Sequence, residues 1–186
     1  VHELRLPILA NTSATLVLFQ TKDEKVIDEV TYAKAWHAAW VKNEKGIALE
    51  RIDPDRPSQE AANWTSAAET AGYGTPGYRN SQSGTGRPET PTGIEAPVYS
   101  EITGEYEIKY YLDQPGYSCR AWVYDAAGRR LAEVANQTLL GREGYFTWNG
   151  QGADGARLRP GVYLFYADLY HTGGKTRAYK RVFLAR

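Results

Sequence analysis

The sequence has no methionine, a single cysteine and a formal net charge of zero. The lone Cys119 excludes an internal disulfide. Because it lies among strand-forming residues, we expect a buried, unreactive thiol rather than a reactive one. Lys and Arg together number 22, as do Asp and Glu. This balance argues against nucleic acid or an anionic membrane as the main partner, since both require a basic surface.

Long apolar runs and a signal peptide are also missing, so direct insertion into a membrane is not expected. The chain starts with Val1 instead of methionine. We therefore expect a mature or excised piece of a longer polypeptide, which leaves secretion open.

The residue patterns of common catalytic and metal sites are missing too. The three histidines, His2, His37 and His171, do not form a set, and neither His-x-x-x-His nor Cys-x-x-Cys spacing occurs. There is no Gly-x-Ser-x-Gly, and the glycines of residues 72–80 lack the lysine of a phosphate loop. We expect no catalytic residue, no metal and no cofactor within this chain, although the parent polypeptide could be an enzyme.

One loop carries oxygen ligands that could suggest calcium. Asn149, Gln151 and Asp154 lie within NGQGADGARL, but a single carboxylate favours a Gly-rich turn instead. The glycosylation sequons receive little weight in a chain this rich in Ser and Thr; they begin at Asn11, Asn63 and Asn136.

Aromatic residues are plentiful, with 14 Tyr and 5 Trp, and suit half-exposed sheet faces. Residues 79–97 are rich in Ser, Thr, Gly and Pro, which is typical of a linker. We divide the chain into a first half (1–80), a linker (81–95) and a second half (96–186).

The first half contains three strand candidates, at residues 14–20, 26–32 and 46–52. Trp36 and Trp40 are four residues apart, which suits one or two helical turns or, equally, a loop. So few strands form an incomplete sheet, which would leave an unpaired edge.

The second half predicts strands throughout, separated by turn signals about ten residues apart, as expected for an Ig-like β-sandwich. The candidates are residues 105–112, 118–125, 144–150, 161–170 and 177–185. Gly128 is predicted in the left-handed conformation of a hairpin, and Gly161 is expected to permit a sharp reversal. The fold class is therefore all-β.

Residues 46–81 closely resemble the end of lamin-tail-type Ig-like domains in surface proteins of Bacteroidetes. The hallmark is Gly-x-x-Leu-Glu-Arg, then Asn-Trp, then Gly-Thr-Pro-Gly-x-x-Asn-Ser; the matching residues are Gly46, Leu49, Glu50, Arg51, Asn63, Trp64, Gly74, Thr75, Pro76, Gly77, Asn80 and Ser81. The early strands of such a domain are absent, so the resemblance implies a partial, truncated domain whose missing N-terminal part is a possible partner.

The second half is similar to FlgD-like Ig modules and to the C-terminal sorting domains of the type IX secretion system, through VYDAAGRRL, GVYLFYADL and YKRVFLAR. It departs from the shorter sorting domains by the insert WNGQGADGARLRPG. In that family the folded sandwich is the export signal. The resemblance implies a non-catalytic module that passes the periplasm and outer membrane to the cell surface, with shuttle and translocon proteins as partners.

A terminal strand at a sheet edge can pair with a partner's sheet, or its charges can keep that edge soluble. The resemblance to sorting domains and this strand position together select ten candidate partner-binding residues: Tyr124, Asp125, Gly128, Arg129, Gly161, Tyr163, Lys180, Arg181, Val182 and Leu184. Two alternatives remain open. The chain is a structural or adhesion spacer of a larger extracellular peptidase or nuclease, or it is a retained domain of a secretion-system component.

Overall fold

The computed structural model describes residues 8–84 and 91–186, and this part of the chain confirms the all-β prediction. The first half contains two antiparallel pairs. In one pair β1 (Ser13–Gln20) bonds to β2 (Lys25–Ala33), and in the other β3 (Leu49–Arg51) bonds to β4 (Trp64–Ser66). Three single 3-10 turns connect or follow these strands, at Lys34–Trp36, Ala61–Asn63 and Glu69–Ala71.

The strand predicted over residues 46–52 is wrong at its start. Gly46 has φ +81°, and the amide of Ile47 donates to the carbonyl of Glu44 (3.0 Å), so the segment begins as a turn. Only Leu49–Arg51 pairs as a strand. The segment around Trp36 forms a single helical turn. The ring of Trp36 stacks on that of Trp64, with the ring centroids 6.1 Å apart.

Glu50, in the middle of β3, is the centre of a buried polar cluster. Glu50 is 4% exposed, and its carboxylate accepts hydrogen bonds from the hydroxyl of Thr75, the hydroxyl of Ser81 (2.6 Å) and the amide of Gln82 (3.3 Å). Buried carboxylates require such donors. The Glu50 side chain thus connects the Gly-x-x-Leu-Glu-Arg strand to Thr75 of Gly-Thr-Pro-Gly and to Ser81 of the Asn-Ser that follows it.

The second half forms a sandwich of two antiparallel sheets. The first sheet has the order β10-β7-β5, with β6 also pairing with β7, and the second sheet has the order β12-β11-β8-β9. The strands of the first sheet are β5 (Gly93–Ile94), β6 (Val98–Ser100), β7 (Glu105–Tyr111) and β10 (Glu143–Trp148). Those of the second sheet are β8 (Tyr117–Tyr124), β9 (Arg130–Leu139), β11 (Gly161–His171) and β12 (Thr176–Ala185).

The core lies between these two sheets and follows the period-two alternation of their strands. Alternate residues of β7 and its C-terminal extension, and of β8, are buried in this core: Ile108, Tyr110, Leu112, Cys119, Ala121 and Val123. Phe165 of β11 is fully buried among them, and Tyr163 packs against the same cluster. Burial raises the pKa of the Cys119 thiol, which is the buried thiol predicted from the sequence.

Strand β9 was not predicted. Its inward positions carry the small residues Ala132 and Ala135, and its register to β8 shifts at three irregularities. Gln137 has φ +57°, a conformation that non-glycine residues rarely adopt. Bulges of this kind break strict alternation, so β9 has no clear period-two pattern.

The two halves are in direct contact at the N-terminal end of the predicted linker. Gln82 is fully buried, and its Nε2 donates to the carbonyls of Ser66 in the first half (3.1 Å) and Leu140 in the second (3.0 Å). The amide of Arg142 donates to the carbonyl of Ser81 (2.8 Å). Residues 85–90 of the predicted linker lie outside the described residues, and the division of the chain stays a prediction.

Candidate functional site

The outer face of the second sheet carries exposed apolar side chains and partly exposed aromatic rings. Because opposed residues of antiparallel strands share a face, the register places them in rows. The rows that cross β12, β11 and β8 are Val182–Leu164–Tyr124, Lys180–Tyr166–Trp122 and Ala178–Asp168–Arg120, with Leu184 opposite Val162. We call these residues the outer face.

The centre of the outer face is an aromatic cluster built around Tyr166. Its ring stacks on Trp122 at 6.2 Å and meets Tyr124 edge-on at 6.3 Å. The Tyr166 hydroxyl donates to Oδ1 of Asp168 (2.7 Å), and this hydrogen bond raises the pKa of Tyr166 to about 12. Tyr170 donates to Oδ2 of the same carboxylate at 3.4 Å. The hydroxyls on both sides of Asp168 are therefore fixed in orientation.

One end of the outer face is apolar and exposed. Val162, Val182 and Leu184 are 59%, 67% and 64% exposed, and we call these three residues the edge patch. Two of them belong to β12, which is one of the two edge strands of the second sheet. Exposed apolar side chains that cluster at a sheet edge are typical of contact surfaces.

The structure brings together four of the ten predicted site residues on the outer face: Tyr124, Lys180, Val182 and Leu184. Arg181 points inward instead, where its Nε donates to the carbonyl of Ile94 in the first sheet (2.6 Å). Tyr163 also faces inward. Its hydroxyl donates to the carbonyl of Arg159 (2.9 Å), and its ring centroid lies 6.0 Å from that of Phe183. Arg181 and Tyr163 therefore contribute to closing the sandwich.

Three further predicted residues build the turn between β8 and β9. Asp125 Oδ1 accepts the amides of Ala127 and Arg129, and Oδ2 accepts Nε of Arg129 (2.7 Å). These hydrogen bonds hold the pKa of Asp125 below its usual range, and Gly128 has the predicted left-handed φ of +79°.

The expectation for Gly161 is wrong. It begins β11 opposite Ala185 without a positive φ, and a Cβ there would meet the Tyr163 ring at an ordinary 3.6 Å. The positive φ values before β11 belong to Gly150 and Gly155.

Several outer-face residues of β11 were missed as site candidates, among them Val162, Tyr166 and Asp168. The sequence carries a signal for them, because alternate positions of GVYLFYADLY share one face with Trp122 and Tyr124 once the inward position of Phe165 is known.

The oxygen-bearing side chains of the loop before β11 are engaged within the loop. Asn149 Nδ2 donates to Oε1 of Gln151 (2.9 Å), and Oδ1 of Asp154 accepts the amide of Ala156 (3.0 Å). Across the described residues no group of three or more His, Cys, Asp or Glu has a metal-binding arrangement. No helix in residues 8–84 and 91–186 is both long and apolar enough to span a membrane.

His37 and Ser66 form a hydrogen-bonded pair in the first half. Nδ1 of His37 lies 2.8 Å from Oγ of Ser66, which also accepts the amide of Ala38 (3.1 Å). Ser66 is fully buried. Its hydroxyl therefore fastens the segment after β2 to β4, and no substrate could approach it in this conformation. His2 lies outside the described residues.

This pair predicts a pH dependence of stability. Burial lowers the pKa of His37 below 6.5, so the unfolded chain binds the proton more tightly than the folded one. The contribution of His37 to the free energy of unfolding should be complete above pH 6.5. It should be lost as the pH drops through 6.5 towards the pKa of His37 in the folded protein.

Urea unfolding of the wild type and of His37→Asn between pH 7.5 and 5 measures this effect. We expect the variant to have the flatter profile over that window. Parallel profiles would contradict the assignment to His37.

The β1–β2 hairpin exposes apolar side chains on both faces. Leu18, Phe19, Val26 and Ile27 are 61%, 52%, 53% and 62% exposed. A groove of about 440 Å³ lies between the hairpin and the segment that enters β3, and it is lined by side chains such as Leu16, Val30, Tyr32, Ile47, Leu49 and Trp64. Isolated two-stranded hairpins are marginally stable in water.

No protein-family model and no curated protein matches this chain. Solved structures do. One is the crystal structure of FlgD from P. aeruginosa, at 21% identity and a TM-score of 0.37 over 54% of this chain and 78% of that one. Another is PorZ, an essential bacterial surface component of the type IX secretion system of Porphyromonas gingivalis, at 24% identity and a TM-score of 0.25. That match covers 45% of this chain and 12% of PorZ.

Proposed function

We propose that this chain is a non-catalytic C-terminal module of a bacterial surface protein exported by the type IX system. Its role is outer-membrane translocation and surface anchoring through protein–protein contacts of the β-sandwich. The observation that carries the proposal is the edge patch, because β12 combines an edge position with side chains that are 64% to 67% exposed.

The chemistry of β12 suits a strand-adding partner. Among the described residues it pairs with β11 alone, so one row of its backbone groups is available to a further strand. Residues 175–186 contain five Lys or Arg and no Asp or Glu. Arg177 and Arg186 are paired with Asp113 and Glu101 at 3.1 Å and 3.0 Å, while Lys180 projects from the outer face beside Tyr166. Shuttle and translocon proteins of the outer membrane are the proposed partners.

An export assay tests the proposal. The full chain is fused behind a periplasmic reporter in a host that has the type IX system, and we expect the reporter at the cell surface. Replacing Val182 and Leu184 by threonine keeps strand propensity but removes apolar contact. We expect this variant to lower the surface fraction about ten-fold, which corresponds to about 1.4 kcal/mol of lost contact.

The matched control replaces Val98 of β6, in the first sheet, and Ile102, in the turn after β6, by threonine; the two residues are 63% and 97% exposed. Equal export of both double variants would contradict a role for the edge patch. A wild-type fusion that stays periplasmic would contradict the export function.

A second candidate function is a structural or adhesion spacer. It is supported by the junction at Gln82, which links the two halves through the carbonyls of Ser66 and Leu140. A spacer keeps export unchanged when Val182 and Leu184 are replaced, so the same assay separates the two candidates.

The first half supports a further proposal, that additional strands of the same domain cover the hairpin. Residues 13–20 of β1 contain no charge and are apolar on both faces, a pattern typical of strands that are covered on both sides. In contrast, the outer edge of β2 is capped by Gln59, whose side chain bonds the carbonyl of Glu29 and the amide of Thr31.

A further inference from the structure

The insert between β10 and β11 folds into a tightly bonded loop. The amide of Ala153 donates to the carbonyl of Leu131 at the start of β9 (2.7 Å), and the amide of Leu158 donates to the carbonyl of Gly150 (2.9 Å). The amide of Gly152 bonds the carbonyl of Ala156 (2.8 Å). The loop is thereby attached to β9 and held in one shape, which is the preorganisation that a binding site requires.

A concave pocket of about 490 Å³ lies between this loop, the start of β9 and the start of β11. We call it the loop pocket. Leu131, Leu158 and Tyr163 supply apolar surface, and Arg130, Arg157 and Arg159 supply positive charge. The volume is within the range of small-molecule sites in proteins.

Three of the six other arginines in the second half have a carboxylate partner, while Arg142 and Arg181 donate to backbone carbonyls. Arg129, Arg177 and Arg186 each have a carboxylate partner, at 2.7, 3.1 and 3.0 Å. Within residues 8–84 and 91–186, the guanidinium groups of Arg130, Arg157 and Arg159 have none.

One carboxylate also lines the pocket, that of Asp154, and its Oδ1 is bonded to the amide of Ala156 (3.0 Å). The pocket therefore collects three positive charges against one negative charge in a chain whose net charge is zero.

We infer that the loop pocket binds a small ligand that carries a phosphate or carboxylate group on an apolar body. Guanidinium groups match the planar oxygens of these anions and bind them through paired N–H donors. An anion would also relieve the mutual repulsion of three neighbouring cations. The leucines and the ring of Tyr163 then cover the apolar part of the ligand.

The pocket is independent of the proposed export function. It is built by the insert that distinguishes this chain from shorter sorting domains, and its arginines are not part of the edge patch. A ligand there can thus be tested without an export assay.

Titration of the isotope-labelled full chain, followed by amide chemical shifts in NMR, tests the inference. The probes are phenyl phosphate, benzoate, phenol and inorganic phosphate at low salt. We expect phenyl phosphate and benzoate to shift amides of residues 130–131 and 150–159, with a dissociation constant on the order of 1 mM for a ligand of this size. Phenol and inorganic phosphate should bind at least about five-fold more weakly, since each lacks one half of the chemistry.

The variants Arg157→Gln and Arg159→Gln should each weaken phenyl phosphate binding about five-fold, and the double variant about twenty-fold. Both side chains are exposed, so the fold should tolerate the change. Arg79→Gln removes the same charge from an exposed ion pair with Glu143 and should leave binding unchanged.

Several outcomes would overturn the inference. Shifts that spread over arginines throughout the chain, or equal binding by wild type and double variant, would mean only non-specific charge attraction. Inorganic phosphate binding as tightly as phenyl phosphate would remove the role of the apolar surface. Unchanged shifts in residues 150–159 with phenyl phosphate and benzoate would exclude the site itself.

Discussion

Replacing Glu50 by alanine should lower the free energy of unfolding by about 3 kcal/mol, because buried donors that lose their acceptor retain their full desolvation cost. Glu50 is 4% exposed, and its carboxylate accepts the hydroxyls of Thr75 and Ser81 and the amide of Gln82. Its loss leaves two hydroxyls and one amide without that partner. Urea unfolding followed by tryptophan fluorescence measures the change, since Trp64 lies in the same half.

Two further variants separate the network from a general effect of removing charge. Glu50→Gln keeps one oxygen acceptor and should lose less stability than the alanine variant. Glu29→Ala removes an exposed carboxylate from β2 of the same half and should change stability by about 0.5 kcal/mol or less. Similar losses for Glu50→Ala and Glu29→Ala would contradict the structural role of the buried carboxylate.

Replacing Phe165 by alanine should destabilise the sandwich by about 4 kcal/mol, because the substitution removes a buried ring and leaves a cavity. Phe165 is fully buried on β11, a central strand of the second sheet, opposite Val123 of β8. β11 is hydrogen-bonded to β12 and β8 on both sides, which limits how far the sheet can relax into the cavity.

The comparison for this prediction lies on the same strand. Val162 is 59% exposed on the outer face, and Val162→Ala should cost about 0.5 kcal/mol or less. Both variants are measured by urea unfolding with circular dichroism of the sheets. Equal losses at positions 162 and 165 would mean that the inward and outward faces of β11 have been exchanged.

Strands with regular alternation were predictable from sequence. The inward set of β8, Cys119, Ala121 and Val123, is buried as expected because a period of two places these residues on one face. Strand β9 was not predicted, since its bulges and small inward alanines leave no hydrophobic pattern to detect. Local pattern is thus informative where the ladder is regular.

The candidate site was predictable in part. The sequence predicted that the terminal strand lies at a sheet edge. It also selected Lys180, Val182 and Leu184, which project outward from that strand. The inward orientation of Arg181 could not be predicted, because it depends on a hydrogen bond to the carbonyl of Ile94 in the opposite sheet.

The loop pocket was beyond prediction for a similar reason. Arg130 is far in sequence from Arg157 and Arg159, and contacts between distant segments, such as the hydrogen bond between Ala153 and Leu131, bring them to one cavity. Contacts between distant segments are not encoded in any single stretch of sequence.

Because Cys119 is buried, its reaction with a thiol reagent reports opening of the sandwich. Its sulfur is the only thiol in the chain, and it lies fully inside the sandwich. A thiol reagent in solution can reach it only when β8 separates from the opposing sheet, so the labelling rate counts those openings. The rate at which the two sheets separate can therefore be measured in the unmodified protein, without an added probe.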